Sequence, residues 1–276
     1  MIKRIIARLD IKNDTLVKGI NMEGLRNLGE PKYFSEKYFD EGIDEIHYQD
    51  VVASLYSRNM ILNIIKETAK KSFVILSIGG GIRSDKDIFE ALRSGADKVS
   101  LNSFAVRKPI ILGQVKDLFG SSTISVNIDA IFDNGDYYVL IDSGRERTNL
   151  KVFDWVEKVQ NFGCGEIIIT SIRNEGKMNG FDLKLCRKVK QLSSVPVVAH
   201  GGGGSCDQII ELFQETNVDA VSLASLLHYS YLDSSNKLNN EGRNVFLNNI
   251  TNNQKEKVTI NQIKKSLNRN NISVRL

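Results

Sequence analysis

Hydrophobic and polar positions follow two alternating patterns along the chain. Short runs rich in Val, Ile and Leu, such as IIIT and AVSLA, are each followed by a turn and by a segment whose apolar residues recur every three to four positions. The first pattern is typical of strands covered on both faces, and the second of amphipathic helices. We predict strands over Arg4–Asp10, Glu45–Asp50, Val74–Gly79, Lys98–Leu101, Thr123–Asp129, Glu166–Thr170, Val195–His200 and Ala220–Ala224. We predict helices over Tyr33–Glu41, Met60–Lys71, Asp85–Ser94, Ile110–Phe119, Phe153–Phe162, Asp182–Leu192 and Asp207–Thr216.

Strands that alternate with helices predict a parallel sheet, because a parallel connection needs a crossover. Eight is the number of strands that closes into a (βα)8 TIM barrel. An open, doubly wound sheet is the alternative. The segment DNGDYYVLIDSGRERT predicts a hairpin with an Asn-Gly turn. Residues 234–257 are rich in Asn and predict a flexible insertion before a last helix over Ile260–Asn268.

An internal repeat supports the barrel. LDIKND returns as IDAIFDNG, GIDEI as GCGEI, IGGGIRS as HGGGGSC and DKVSLNS as DAVSLAS, each at an offset of roughly 120 residues. Four matches in the same order predict two similar half-barrels, about 1–120 and 121–233, within a single domain over 1–276 whose last helix and tail occupy 258–276.

Composition and charge narrow the class of protein. Of the 276 residues, 41% are hydrophobic and 25% charged, as in a globular protein with a full core. We expect neither a signal peptide nor a membrane span, since charges recur early and no apolar run approaches ~20 residues. Cys164, Cys186 and Cys206 form no C-x-x-C pair, which favours a cytoplasmic location and no metal site. The net charge of +4 is scattered, so we expect no nucleic-acid partner.

Two glycine runs, Gly79–Gly81 and Gly201–Gly204, each join a predicted strand to a predicted helix. Glycine lets backbone N–H groups approach an anion, and a helix N-terminus adds positive potential. Small residues stand at the next strand ends, Asn102–Ser103 and Ala224–Ser225. Crowding in a tight turn explains a single run, whereas two runs related by the repeat predict a ligand with a phosphate at each end.

Asp10 and Asp129 end equivalent strands in the two halves. Between two anion sites at the barrel mouth, they are predicted to act as general acid and base. An aspartate that ends a strand is otherwise most often a turn or capping residue. Asp50 and Thr170 also end strands and are included in the predicted binding site, with Asp50 expected to orient its neighbours. His200, just before the second glycine run, is a candidate ligand contact.

Several motifs resemble those of the cyclase subunit of imidazole glycerol phosphate synthase, the HisF family: RIIARLDIKNDTLVKGIN, GGGIRS, GADKVSLN, the strand end at Asp129, GEIIITS and the GGGG turn. The resemblance covers about residues 1–233 and resumes in the last helix. It implies a barrel that receives ammonia from a HisH-type glutaminase partner. It also implies a lyase of histidine biosynthesis, which converts the bisphosphorylated substrate PRFAR into imidazole glycerol phosphate and an aminoimidazole carboxamide ribonucleotide.

The resemblance also implies roles for individual residues and no cofactor. Asp10 and Asp129 match the acid/base pair, and Lys18, in the loop after the first strand, matches a lysine that helps cover the substrate. The implied phosphate contacts are Gly81, Asn102 and Ser103 at one end and Gly176, Gly202, Gly203, Ala224 and Ser225 at the other. The implied ammonia gate, at the amino-terminal face where the glutaminase docks, is Arg4, Glu45, Lys98 and Glu166. A structural salt-bridge layer at the barrel bottom is compatible with that role.

Three places depart from the family pattern. Arg8 stands where a small or sulfur-bearing residue is usual, and the strand period of two places it inside the barrel with Arg4 and Asp10. We expect its guanidinium either to pair with a carboxylate or to lie in the ammonia path; pairing with Asp10 would lower the pKa of that carboxyl. Around residues 173–177 the family's D-R-D-G-T reads RNEGK, so Glu175 takes the acidic position, and His200 replaces a serine.

These departures resemble HisF paralogues associated with bacterial surface sugars. Such paralogues are thought to work with a glutaminase and a sugar amidotransferase and to supply ammonia for acetamidino groups. The sequence therefore leaves three functions open. They are a working cyclase, which both aspartates and both anion sites favour, an ammonia-delivering paralogue with weak or no cyclase activity, and a non-catalytic binding barrel.

Overall fold

Eight parallel strands close into a barrel in the computed structural model, which describes residues 2–52, 61–232 and 257–276. In spatial order, and numbered along the chain, the barrel strands are β1 (Arg4–Lys12), β4 (Glu45–Asp50), β5 (Ile75–Gly79), β6 (Lys98–Leu101), β7 (Ile124–Asp133), β10 (Glu166–Ser171), β11 (Val197–His200) and β12 (Ala220–Leu223). Pairing of β12 with β1 and of β7 with β10 closes the sheet. The predicted (βα)8 barrel is confirmed, and the open doubly wound alternative is wrong.

Helices follow the strands around the outside of the barrel. They are α1 (Pro31–Asp40), α2 (Leu62–Ala69), α3 (Asp85–Arg93), α4 (Ser103–Arg107), α5 (Ile111–Phe119), α6 (Val152–Asn161), α7 (Leu183–Leu192), α8 (Cys206–Thr216), α9 (Ser225–Ser230) and α10 (Ile260–Arg269), with a 3-10 turn at Ser121–Thr123. Each predicted helix is present within two residues of its expected bounds, and Met60 lies outside the described residues. In the described ranges, no helix is long and apolar enough to cross a membrane.

Strand β1 has one face toward the core between the barrel and its helices and the other face toward the inside of the barrel. Ile5, Ala7 and Leu9 are buried in the main core, which packs the barrel against its helices. Ile6 points the other way and joins the small apolar cluster formed with Ile168, Val198 and Ala220. The alternating side chains therefore place Arg4, Arg8 and Asp10 with Ile6 on the barrel's inner side.

Two hairpins extend the barrel beyond its carboxyl ends. The predicted Asn-Gly hairpin is confirmed: β8 (Asp136–Ile141) returns antiparallel to β7, with Asn134 at φ 48° and Gly135 at φ 86°, and β9 (Glu146–Lys151) continues it. A second hairpin, β2 (Thr15–Ile20) and β3 (Glu23–Gly29), was not predicted, so Lys18 lies on a strand rather than in a loop. Its turn uses Asn21 at φ 52° and Met22 at φ 65°, and methionine is not a residue that signals such a turn.

The glycine runs lead into helices that begin in the same way. Ser84 caps α3 by accepting the Asp87 N–H, and Ser205 caps α8 by accepting the Gln208 N–H. Equivalent local geometry thus follows both runs. The predicted insertion 234–257 lies outside the described residues, apart from Lys257.

Candidate functional site

The larger cavity of the site lies at the carboxyl ends of β1 and β4 to β7 and has a volume of about 160 Å³. Its wall contains both predicted catalytic residues, Asp10 and Asp129. The other predicted site residues in the wall are Lys18, Asp50, Gly81, Asn102, Ser103 and Glu175. The structure therefore brings the aspartates and the first predicted phosphate site together.

A smaller cavity adjoins the ends of β10, β11 and β12. It is lined by the residues predicted to bind the second phosphate, Gly176, Gly202, Gly203, Ala224 and Ser225, and by His200. Gly202 has φ +109°, and a Cβ on it would lie 2.0 Å from the Gly180 carbonyl oxygen, so only glycine fits. Lys18 and Glu175 line both cavities and therefore lie between the two predicted anion sites.

Buried polar atoms without partners concentrate at these cavities. Among the described residues, seven buried side-chain atoms have no hydrogen-bond partner. Five of them belong to residues that line the two cavities: Arg8, Ser100, Asn102, His200 and Ser225. Unsatisfied buried polar groups are uncommon in folded proteins, and a ligand that supplies the missing partners removes their cost. This distribution supports both cavities as parts of one binding site.

Two cations hold Asp10. Arg8 Nε donates to its Oδ1 at 2.9 Å, and Lys18 Nζ lies 3.2 Å from its Oδ2. Burial alone raises the pKa of Asp10, but attraction to Arg8 and then Lys18 outweighs burial, so this pKa lies well below its usual range. Of the two alternatives predicted for Arg8, the structure shows pairing with a carboxylate, and Asp10 is the partner. Asp10 is a fixed anion at neutral pH.

Asp129 is held by neutral amides instead. Asn102 Nδ2 donates to its Oδ2 at 2.7 Å, and Asn127 Nδ2 donates to its Oδ1 at 3.1 Å. Burial raises the pKa of Asp129 to about 6, against the opposing attraction of Arg8. Thr170 was predicted to bind the ligand, but its hydroxyl donates to Asn127 Oδ1 at 3.2 Å. In the part of the chain that the structure describes, Thr170 lines neither cavity. Its contact supports the side chain that holds Asp129.

Glu175 connects the β2–β3 hairpin to the barrel. Its carboxylate accepts from Lys18 Nζ and, at 2.9 Å, from the Met22 N–H at the hairpin tip. Its backbone carbonyl accepts the Asn21 N–H at 2.9 Å. Burial lowers the pKa of Lys18, but Glu175 and Asp10 outweigh burial and raise it. Glu175 therefore holds a buried lysine charged and keeps the hairpin over the cavity.

The histidines in the barrel are neutral. Burial, reinforced by the charge of Arg8, lowers the pKa of His47 to about 4 and that of His200 well below its usual value. His200 Nδ1 lies 2.9 Å from the Ser222 carbonyl oxygen, so Nδ1 carries the proton and Nε2 is left as an acceptor that faces no partner among the described residues. Among those residues, no group of three or more His, Cys, Asp or Glu side chains is placed to hold a metal ion.

The four predicted gate residues form a closed ring at the amino-terminal end of the strands. Arg4 pairs with Glu45, at 2.9 Å, and with Glu166, while Lys98 lies 3.1 Å from Glu45 and 3.2 Å from Glu166. The two carboxylates are almost fully buried, whereas Arg4 and Lys98 are part-exposed. Alternating charge around the barrel bottom is thus present, as a salt-bridge ring.

Some wall residues were not predicted. Arg83, Arg107 and Arg145 line the larger cavity beside the first glycine run, and Arg107 pairs with Asp142. These arginines come from separate segments of the chain and carry no common local signal. Asn127 could have been found, because it stands two residues before Asp129 on the same strand face, as Arg8 stands before Asp10.

The fold and the site define a (βα)8-barrel protein with polar side chains gathered at the carboxyl ends of its strands. A family model described as histidine biosynthesis protein matches residues 4–233. The chain belongs to this family.

Relatives within the family agree with this assignment. The chain is 38% identical to imidazole glycerol phosphate synthase subunit HisF of Staphylococcus saprophyticus over 99% of both chains. It is 44% identical to the subunit HisF of Bacillus cereus strain Q1 over 82% of this chain and 90% of the relative. It is 40% identical to the Staphylococcus aureus subunit over 82% of this chain and 90% of the relative.

Proposed function

We propose that this chain is the cyclase subunit of an imidazole glycerol phosphate synthase in histidine biosynthesis. The observation that carries the proposal is the arrangement of the two cavities: they share Lys18 and Glu175, and the larger one holds Asp10 and Asp129 beside the residues predicted to bind phosphate. The names and identity levels of the HisF relatives support the same activity.

The substrate PRFAR carries a phosphate at each end. One phosphate is held by Gly81, Asn102 and Ser103 and the other by the glycine-lined smaller cavity. Backbone N–H groups in glycine turns bind phosphate because no Cβ blocks their approach. Holding both ends places the middle of the substrate over the aspartates, which lowers the entropic cost of the reaction.

The two aspartates have different roles in this proposal. Asp129, with a pKa of about 6, exchanges protons near neutral pH: it accepts them from the ammonia nitrogen as that nitrogen bonds to the substrate carbons, and returns them to the two groups that leave, the amine of the broken C–N bond and the oxygen lost as water. Asp10 stays ionised between Arg8 and Lys18 and stabilises positive charge that develops on nitrogen during the addition. A proton transfer catalyst works best when its pKa lies near the working pH, which favours Asp129 over Asp10. The step that breaks a C–N bond makes the enzyme a lyase.

Ammonia comes from a glutaminase subunit of the HisH type that docks at the amino-terminal face. The ring of Arg4, Glu45, Lys98 and Glu166 lies there and controls entry into the barrel. The three cysteines are free thiols, which supports a reducing cytoplasmic setting.

Ammonia delivery for a surface sugar, with a sugar amidotransferase, is a second candidate. The Arg8–Asp10 pair favours it, because a carboxyl with a very low pKa is a weak acid/base catalyst. The HisF relatives do not favour it.

The test is turnover of PRFAR by the purified chain supplied with ammonium salt. Product formation that requires both Asp10 and Asp129 supports the cyclase. A folded chain without turnover favours the second candidate.

A further inference from the structure

The guanidinium of Arg8 has a donor that bonds to the protein and another donor that has no partner among the described residues. Its side chain is 5% exposed and lines the larger cavity. Nε donates to Asp10 Oδ1, whereas Nη1 is buried and has no partner among the described residues. A guanidinium presents its donors as a rigid fork, so Nη1 is held in place by the bond that Nε makes.

The nearby carboxylates are already engaged. Arg8 is attracted by Asp10, Asp129 and Glu175. Both oxygens of Asp129 accept from Asn102 and Asn127. Both oxygens of Glu175 accept, one from Lys18 and the other from a backbone N–H. A buried N–H of a charged group is unfavourable without an acceptor, so the acceptor for Nη1 is expected from outside the protein.

The position and charge of Arg8 restrict what that acceptor is. Arg8 contacts Asp10, which contacts Lys18, and Lys18 lies between the two cavities. A ligand that spans both predicted anion sites would therefore pass Arg8 with its middle, beside Asp10 and Lys18. Arg8 and Lys18 are balanced by Asp10 and Glu175, so the cluster has no surplus positive charge to attract a third anion.

We propose that Arg8 is a ligand-binding residue whose Nη1 donates a hydrogen bond to an uncharged oxygen acceptor, a carbonyl, carboxamide or hydroxyl oxygen, in the middle of a ligand phosphorylated at both ends. That the ligand carries two phosphates rests on the proposed function, whereas the contact is inferred from the Nη1 donor, which has no partner among the described residues. Arg8 thereby selects among bisphosphorylated ligands by the group at their centre and also positions Asp10.

The experiment measures binding of PRFAR by calorimetry to Asp10→Asn and to the double variant Arg8→Gln/Asp10→Asn. The Asp10→Asn side chain keeps an oxygen for Arg8 Nε, and the substitution is expected to prevent turnover, so binding is read at equilibrium. Inorganic phosphate is the second probe, and Arg187→Gln, on the outer helix α7, is the matched arginine control in the Asp10→Asn background.

The proposal predicts that removing Arg8 weakens PRFAR binding roughly tenfold, equivalent to about 1.4 kcal/mol, while phosphate binding changes less than about twofold. The control is expected to leave both affinities unchanged. Equal PRFAR affinity with and without Arg8 would show that Arg8 only positions Asp10, and would overturn the proposal. If the wild-type chain binds PRFAR in an Arg8-dependent manner but does not turn it over, the proposed function fails and this inference stands. If no variant binds PRFAR while phosphate still binds, both are wrong.

Discussion

Arg8 on β1 and Asn127 on β7 occupy matching positions, each two residues before an aspartate whose carboxylate it binds. Arg8 Nε donates to Asp10 at 2.9 Å, and Asn127 Nδ2 donates to Asp129 at 3.1 Å. Both aspartates are buried, and burial raises the pKa of a carboxyl. The charged donor reverses this effect at Asp10, whereas the neutral donor leaves the pKa of Asp129 raised to about 6. A charged donor at one aspartate and a neutral donor at the other, together with Lys18 beside Asp10, thus give two carboxylates of different chemistry.

Arg8→Gln should raise the pKa of Asp10. Burial then acts against Lys18 alone, so the Asp10 carboxyl moves back toward its ordinary range. The measurement is a 13C NMR titration of Asp carboxyl carbons, assigned with Asp10→Asn and Asp129→Asn. Arg187→Gln is the control and should leave both titrations unchanged. A wild-type Asp10 that titrates with a pKa near its ordinary value of about 3.9 would contradict the assignment of Arg8 as the cause.

Asp129→Asn should stabilise the fold at neutral pH. The folded pKa of about 6 lies above an unfolded value of about 3.9, so the ionised carboxylate costs stability above pH 6, and this cost disappears as the pH falls toward 4. Two pKa units correspond to about 3 kcal/mol. Because an Asn oxygen cannot replace both carboxylate oxygens, we expect a gain of about 1 kcal/mol. Urea unfolding at pH 7.5 and pH 5 measures it. A gain that is equal at both pH values, or larger at pH 5, would be inconsistent with a raised pKa.

Glu175→Gln should loosen the β2–β3 hairpin. Gln offers one oxygen where Glu175 bonds both Lys18 and the Met22 N–H, so one of these bonds is lost. We expect the Met22 amide to exchange its hydrogen roughly tenfold faster and the free energy of unfolding to fall by ~1–3 kcal/mol. The matched control is Glu23→Gln, since Glu23 is exposed at the hairpin tip. Unchanged exchange in Glu175→Gln would show that the hairpin is held by other contacts.

Lys98→Glu should lower the activity that depends on glutamine more than the activity with ammonium salt. The change leaves Arg4 alone against three carboxylates in the ring and alters the face proposed to meet the glutaminase. With a glutaminase subunit present, glutamine-dependent activity is expected to fall roughly tenfold or more, while activity with ammonium salt changes about twofold or less. Lys86→Glu, on the exposed side of α3, serves as the control. An equal loss of both activities would show that Lys98 contributes to the stability of the fold rather than to ammonia entry.

Much of the fold could be predicted because its signals are local. The alternation of buried strands and amphipathic helices located the strand ends. The strand period of two placed Arg8 on the same face as Asp10, and the structure shows that the two side chains pair. The hairpin that carries Lys18 could not be predicted, because Asn21 and Met22 form its turn without glycine.

The arginines in the wall of the larger cavity could not be predicted for another reason. Arg83, Arg107 and Arg145 belong to three different segments of the chain, and only the closed barrel brings them together. Thr170 shows the limit of the rule that strand ends face the ligand: it lies at a strand end but contacts Asn127 behind Asp129.

The most direct test of the central claim is turnover of PRFAR with a high concentration of ammonium salt at alkaline pH, followed by detection of both products. Free ammonia removes the need for a glutaminase. We predict turnover by the wild-type chain and by Asp154→Asn, whose carboxyl is exposed on α6, and none by Asp10→Asn or Asp129→Asn. Absence of turnover by the folded wild-type chain, or turnover that survives loss of both aspartates, would contradict the cyclase assignment.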